Sequence, residues 1–131
     1  MGNLVDAVDK TTERNREMRE RTVESVLQKS IKAEGGWCLK FVSPGVRGVP
    51  DRLCLLPGGV VAFVETKAPG CRVDPDSLQN FWARELRRLG FAWFEVNTTA
   101  AARALAAELG REARRRTGAK PTVPGKEVQR G

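Results

Sequence analysis

Residues 51–67 read DRLCLLPGGVVAFVETK. Two mainly apolar runs, 51–56 and 60–67, flank Pro57-Gly58-Gly59, which predicts a β-hairpin with a three-residue loop. If the hairpin is symmetric about Gly58, Leu55 faces Val61, Leu53 faces Phe63 and Asp51 faces Glu65. Directly opposed residues on one face hold their Cβ atoms ~5 Å apart. Lys67 stands two residues beyond Glu65 and shares its face. A bulge in the loop would slip this register by one residue. A carboxylate and an ammonium at the end of an apolar strand are costly to bury unless paired, hydrogen-bonded or bound to a metal. Facing carboxylates also repel, and one of them tends to hold a proton. Lys67 offsets this in part. A divalent cation offsets it more fully, and Mg²⁺ takes one or two carboxylates together with waters and a phosphate oxygen. The plainer reading is a cross-strand ion cluster at a sheet edge.

Upstream, residues 12–33 carry Val23, Val26, Leu27 and Ile31 at helical spacing, and Gly35-Gly36 stops the helix. On a wheel of 100° per residue, the mean direction of that stripe lies ~45° from Glu20 and ~85° from Glu24. Glu20 is therefore the preferred third carboxylate, with Glu24 as the alternative. Residues 37–42 read as a strand, and a loop follows from Ser43 to Gly48. Downstream, Asp74 as N-cap and Pro75 in the first turn predict a helix over 75–89 that buries Leu78, Phe81, Trp82, Leu86 and Leu89 and is capped by Gly90. Gln79, at the edge of that apolar face, is placed to point back at the sheet and bind water or phosphate. Residues 91–96 form another strand. Asn97 or Thr98 caps an Ala-rich helix that ends near Gly110. The predicted order is α-β-β-β-α-β-α, a mixed α/β single domain.

The 131 residues suit one modest core, and the formal charge is +7. No run approaches the ~20 apolar residues of a membrane span, and the N-terminus has no apolar signal core. These features lead us to expect a cytoplasmic protein. Cys38, Cys54 and Cys71 form no CxxC and there is no His, so zinc is set aside. The cysteines read as small hydrophobes in a reducing cytosol. Residues 111–131 carry seven basic side chains against two acidic ones, with Pro121 and Pro124, and read as a mobile basic tail suited to a polyanion. Residues 1–11 read as a flexible N-terminus, leaving 12–110 as the folded domain. Lys40, Ser43, Arg47 and Arg52 flank the acidic cluster and are candidate phosphate contacts.

Pro50-Asp51 followed by Glu65-Thr66-Lys67, with a helical Glu before and Gln79 after, resembles the PD-(D/E)xK nuclease superfamily. The longer string KFVSPGVRGVPDRLCLLPGG…VAFVETKAPG…DSLQ is similar to the VRR-NUC family, the virus-type replication-repair nucleases, over about residues 19–96. The resemblance implies a restriction-endonuclease-like fold, a central mixed sheet flanked by helices, and Mg²⁺- or Mn²⁺-dependent cleavage of DNA phosphodiester bonds. It makes Asp51 and Glu65 metal ligands, with the Thr66 backbone carbonyl a further one. It gives Lys67 the role of activating or positioning the attacking water. Glu20, or Glu24, completes the carboxylate set, and Gln79 matches the family's downstream glutamine. Stand-alone members of the family resemble Holliday junction resolvases and act as homodimers. The resemblance thus implies branched DNA, four-way junctions foremost, as the partner, with no small-molecule cofactor. Rival readings are a flap- or sequence-directed nuclease and a non-catalytic basic DNA-binding module.

Overall fold

In the computed structural model, which describes residues 4–118 with side chains from residue 10 onward, the hairpin register is the one symmetric about Gly58. Strand β2 (Arg52–Leu56) pairs antiparallel with β3 (Val60–Thr66), setting Leu53 against Phe63 and Leu55 against Val61. No bulge intervenes, because Pro57-Gly58-Gly59 closes the turn with both glycines at positive φ, 82° and 73°. Strand β1 (Trp37–Lys40) adds antiparallel to β2, and β4 (Ala92–Val96) adds parallel to β3. The sheet order is β1-β2-β3-β4. With helices α1 (Leu4–Ala33), α2 (Leu78–Arg88) and α3 (Thr99–Thr117), this is a restriction-endonuclease-like fold in the expected element order.

The alternation of β2 and β3 sends Cys54, Leu56, Val60, Ala62 and Val64 to one face. There α1 supplies Val23, Leu27 and Ile31, and α3 supplies Ala102, Leu105, Ala106 and Leu109. Full burial of a side chain such as Leu27 or Ile31, neither of which retains any exposure, stabilises by ~1.5–3 kcal/mol. Phe94 and Ala92 pack onto this core, while Trp93 lies in register with Phe63 on the opposite face. That second face is thinly covered. Phe63 makes edge-to-face contacts with Phe41 and Phe91, but Leu39, Leu55 and Phe91 remain exposed.

Several expected boundaries move. Helix α1 begins at Leu4, so the segment read as a flexible N-terminus is helical from there. The β1 strand stops at Lys40. Helix α2 begins at Leu78 with Ser77 as its N-cap, because Asp74 spends its carboxylate on the Asp76 N–H and its carbonyl on Ser77. The apolar residues of α2 are not buried as expected. Only Ala83 is, and Leu78, Phe81 and Leu89 are exposed, because α2 packs beside β4 and leaves the second face of the sheet open. Thr98, not Asn97, caps α3. Helix α3 passes through Gly110 to Thr117. At Gly110 a Cβ would meet Glu34 Oε2 at 2.0 Å, so this glycine serves close helix–helix approach instead of termination. The basic segment from Arg111 to Arg116 is therefore helical. Its charges are largely paired, with Arg114 on Glu34 and with Arg115 and Arg116 on Glu112. The remainder of the basic tail lies outside the described residues.

Gly36 marks the tightest backbone approach at the start of β1. A Cβ there would sit 2.5 Å from the Leu55 carbonyl oxygen and 2.8 Å from Leu56 Cγ. Gly36→Ala is expected to lower unfolding free energy by about 2 kcal/mol, as overpacking against backbone does. Urea denaturation measures this, and an unchanged midpoint would contradict the crowding.

Candidate active site

The chain reversal that sets the hairpin register also sets the site. Asp51, one residue before β2, and Glu65 with Thr66, at the end of β3, meet at the same end of the sheet as the close of β1 and of β4. The Thr66 N–H donates to Asp51 Oδ2 at 3.3 Å, fixing the first carboxylate to the second strand. The Thr66 hydroxyl lies 3.1 Å from the same oxygen and 3.0 Å from Glu24 Oε1, so it donates to one of them at a time. Glu24 reaches the sheet from α1, and its second oxygen accepts from Arg52 at 3.1 Å.

Four carboxylates thus converge. Ligand atoms of Glu20, Glu24 and Asp51 lie within 4.8 Å of one another, a grouping with the donor set of a hard-cation site. Both helix carboxylates that the sequence offers as alternatives reach the cluster. Glu65 stands beside it. Only 1 % of Glu65 is exposed, Oε1 accepts from Gln79 Nε2 at 3.1 Å, and Oε2 is buried with no hydrogen-bond partner. Burial first, then the neighbouring Asp51 carboxylate, push the Glu65 carboxyl up to about 9. Burial, Asp51 and Glu24 also raise Glu20, with Lys67 acting the other way. A buried carboxylate oxygen without a donor, beside three more carboxylates, suits a bound cation.

Gln79 points back at the sheet as expected, but toward protein partners. Its amide bridges Glu65 and Lys67, accepting from Lys67 Nζ at 2.8 Å. Of the four candidate phosphate contacts, Arg52 is otherwise occupied. Its guanidinium is paired with Glu24 and its side chain is 12 % exposed, so it braces the cluster from within. Lys40 is exposed where β1 ends near the site. Ser43 starts the turn closed by the Val46 N–H, and Arg47 is exposed on the loop leading to Asp51.

Three further residues, none of which the sequence assigned to the site, hold these parts together. Glu95, in parallel register with Glu65, accepts from the Val73 N–H. Asn97 donates to the Cys71 carbonyl at 3.0 Å. Both fix the connection between β3 and α2, and hence Gln79. Trp82 Nε1 donates to the Arg47 carbonyl at 2.9 Å, tying α2 to the loop that delivers Asp51. Glu95 carried the signal that exposed Glu65, a carboxylate inside an apolar strand.

No protein-family model matches the sequence. A solved structure described as a VRR-NUC domain matches 68 % of the chain and 95 % of its own length, with a TM-score of 0.62 and 30 % identity. The chain belongs to the VRR-NUC family. A curated protein of Acyrthosiphon pisum secondary endosymbiont phage 1, named "Putative nuclease p44", is 50 % identical to this VRR-NUC chain over 62 residues, 47 % of this chain and 67 % of that one. Among the described residues no helix is long and apolar enough to cross a membrane.

The raised Glu65 carboxyl gives this VRR-NUC domain a pH signature when metal is chelated. Its ordinary value is 4.5 and its folded value about 9, so between these the folded chain holds a proton that the unfolded chain has released. Stability therefore falls as pH rises through that window, with a limiting slope of about 1.4 kcal/mol per pH unit. Glu65→Gln is expected to flatten the dependence, leaving the smaller share of Glu20. Urea melts in EDTA across the window measure it, and an equal slope in both proteins would refute the assignment.

Proposed function

We propose that the protein is a metal-dependent, structure-selective DNA endonuclease that hydrolyses phosphodiester bonds, and that its preferred substrate is the four-way junction. Membership of the VRR-NUC family supports the nuclease reading. The observation that carries it is the grouping of Glu20, Glu24 and Asp51 beside a buried Glu65 that Gln79 bridges to Lys67. Such a site needs positive charge, and a phosphate ester together with a divalent ion supplies both a ligand and a reason for it.

In this reading Asp51, Glu65 and the Thr66 carbonyl would hold Mg²⁺ or Mn²⁺, with Glu20 or Glu24 completing the set. When bound there, such an ion would supply polarisation of the scissile phosphate and a lower pKa for the attacking water. The chain's own residues do the rest. Lys67 gives one donor to Gln79 and keeps two N–H groups for the phosphate oxygen or the water. Gln79 fixes the ammonium relative to Glu65, so the group that positions the water and the proposed metal ligand stay in register. Arg52 and Thr66 hold Glu24 and Asp51 against mutual repulsion. Lys40 and Arg47, with Ser43 between them, offer sequence-independent contacts to the DNA backbone beside the cleavage point.

The open second face of the sheet, with Leu39, Leu55 and Phe91 exposed beside Phe81 and Leu89 of α2, is in keeping with a homodimer. A two-fold dimer places two sites on two strands of a two-fold junction. Action in DNA repair, recombination or replication within the cytoplasm follows from this substrate.

Labelled four-way junctions, flaps and duplexes incubated with Mg²⁺ or Mn²⁺ test the reading. Junctions are expected to be cut fastest, EDTA to abolish cutting, and Asp51→Asn and Lys67→Ala to lose at least ~100-fold. Solution mass is expected near twice 14.4 kDa. If wild type cuts nothing, a DNA-binding module replaces the enzyme. Preference for flaps or for one duplex sequence replaces the junction. The helix carboxylates separate in a second comparison. Glu24→Gln is expected to lower both activity and unfolding free energy, because Glu24 also anchors Arg52 and Thr66, whereas Glu20→Gln lowers activity alone.

A further inference from the structure

Two cysteines stand apart from the acidic cluster and have no part in the proposed chemistry. Cys38 on β1 and Cys54 on β2 face each other directly across the antiparallel ladder. The Phe41 N–H donates to the Asp51 carbonyl at 2.8 Å, which marks Phe41–Asp51 as a hydrogen-bonded pair. Antiparallel pairs alternate, so Cys38–Cys54, three steps along, is a non-hydrogen-bonded pair. At such positions the Cα atoms lie about 4.5 Å apart and the side chains approach most closely. Disulfides form across Cα separations of roughly 4.4–6.8 Å. Both thiols are free and both project to the core face.

The pair is also reachable. A groove of about 430 Å³ runs between α1 and β1, lined by Gln28, Lys32, Trp37, Cys38, Lys40 and Arg52 among others. Cys38 retains 8 % exposure and Cys54 none, so Cys38 is the sulfur that a reagent in the groove meets first. The charged groups facing the pair are Arg52, whose buried Nε has no hydrogen-bond partner, and Glu24 of α1 beyond it. The rim is basic, with Lys32 and Lys40. The neighbouring Cys54 thiol favours the thiolate at Cys38 against the effect of burial, and Arg52 acts in the same direction. The partner thiol and burial hold the proton on Cys54.

We propose that Cys38 and Cys54 form a thiol–disulfide site that takes an anionic low-molecular-weight disulfide through the α1–β1 groove and closes to an intramolecular disulfide. The Cys38 thiolate attacks one sulfur of R–S–S–R. That bond breaks, one R–S⁻ leaves and takes up a proton, and Cys38 carries the mixed disulfide. Cys54 then loses its proton and attacks the Cys38 sulfur, expelling the second thiolate. Two electrons pass from the protein thiols to the reagent, which departs as two R–SH. The ring so closed contains residues 39–53, including the loop that delivers Asp51.

Glutathione disulfide is the probe. The native full-length protein is exposed to it, quenched with iodoacetamide in denaturant and mapped by mass spectrometry. The expected product is a Cys38–Cys54 disulfide that dithiothreitol reverses and that forms equally in Cys71→Ser. Trypsin cleavage after Arg47 should leave the two fragments joined on a non-reducing gel. Cys38→Ser should leave Cys54 unreactive in the folded protein. Recovery of both thiols alkylated, an adduct that stays open on Cys38, modification confined to Cys71, or closure only in urea would each overturn the proposal. None of these readouts depends on nuclease activity, so the site stands or falls apart from the function proposed above.

Discussion

The bond from the Thr66 amide to the Asp51 carboxylate is the constraint on which the site depends. It exists only because the hairpin closes through Pro57-Gly58-Gly59 without a bulge. A slip of one residue would reverse every side chain of β3, sending Glu65 toward α1 and α3 and Val64 toward α2. The apolar core and the acidic cluster are therefore selected by the same register. Val64 and Ala62 are held inward by burial, and Glu65 is held on the other face as a consequence.

Strand β3 also joins two kinds of neighbour. It pairs antiparallel with β2, which is local in sequence, and parallel with β4, which requires α2 to cross between them. The crossover carries Gln79 to Lys67 and Glu65. The side chains of Glu95 and Asn97 secure its first half, and Trp82 ties the helix to the loop before Asp51. Asp51, Glu24, Arg52 and Lys67 thus each have a partner that fixes their direction, whereas one Glu65 oxygen faces none.

What was legible in the sequence was local. The turn residues and the two-residue period gave the hairpin, and the hairpin put Asp51 beside Glu65. The helical stripe placed Glu20 and Glu24 near the buried side and ranked Glu20 first, yet Glu24 is the one that bonds Arg52 and Thr66, because a wheel gives direction and not the depth at which a helix docks. The pairing of Arg52 with Glu24 depended on that depth, and so an expected phosphate contact became an internal brace. Gly110 read as a stop because glycine ends many helices, yet its role is to admit Glu34 from the turn that ends α1, remote in sequence. The apolar stripe of α2 was visible, but periodicity says nothing about what covers a stripe, and here little does.

The two halves of the acidic cluster come together by different routes. Asp51 and Glu65 meet through a short turn, whereas Glu20 and Glu24 arrive only when α1 docks on the far side of the sheet. The carboxylate pair can thus form in an isolated hairpin, but the full cluster requires the long-range α1 contact. A chain still emerging or partly unfolded lacks the complete set of carboxylates. Assembly of the domain is in this way a built-in safeguard, since the groups proposed to hold the metal gather only once the fold is whole.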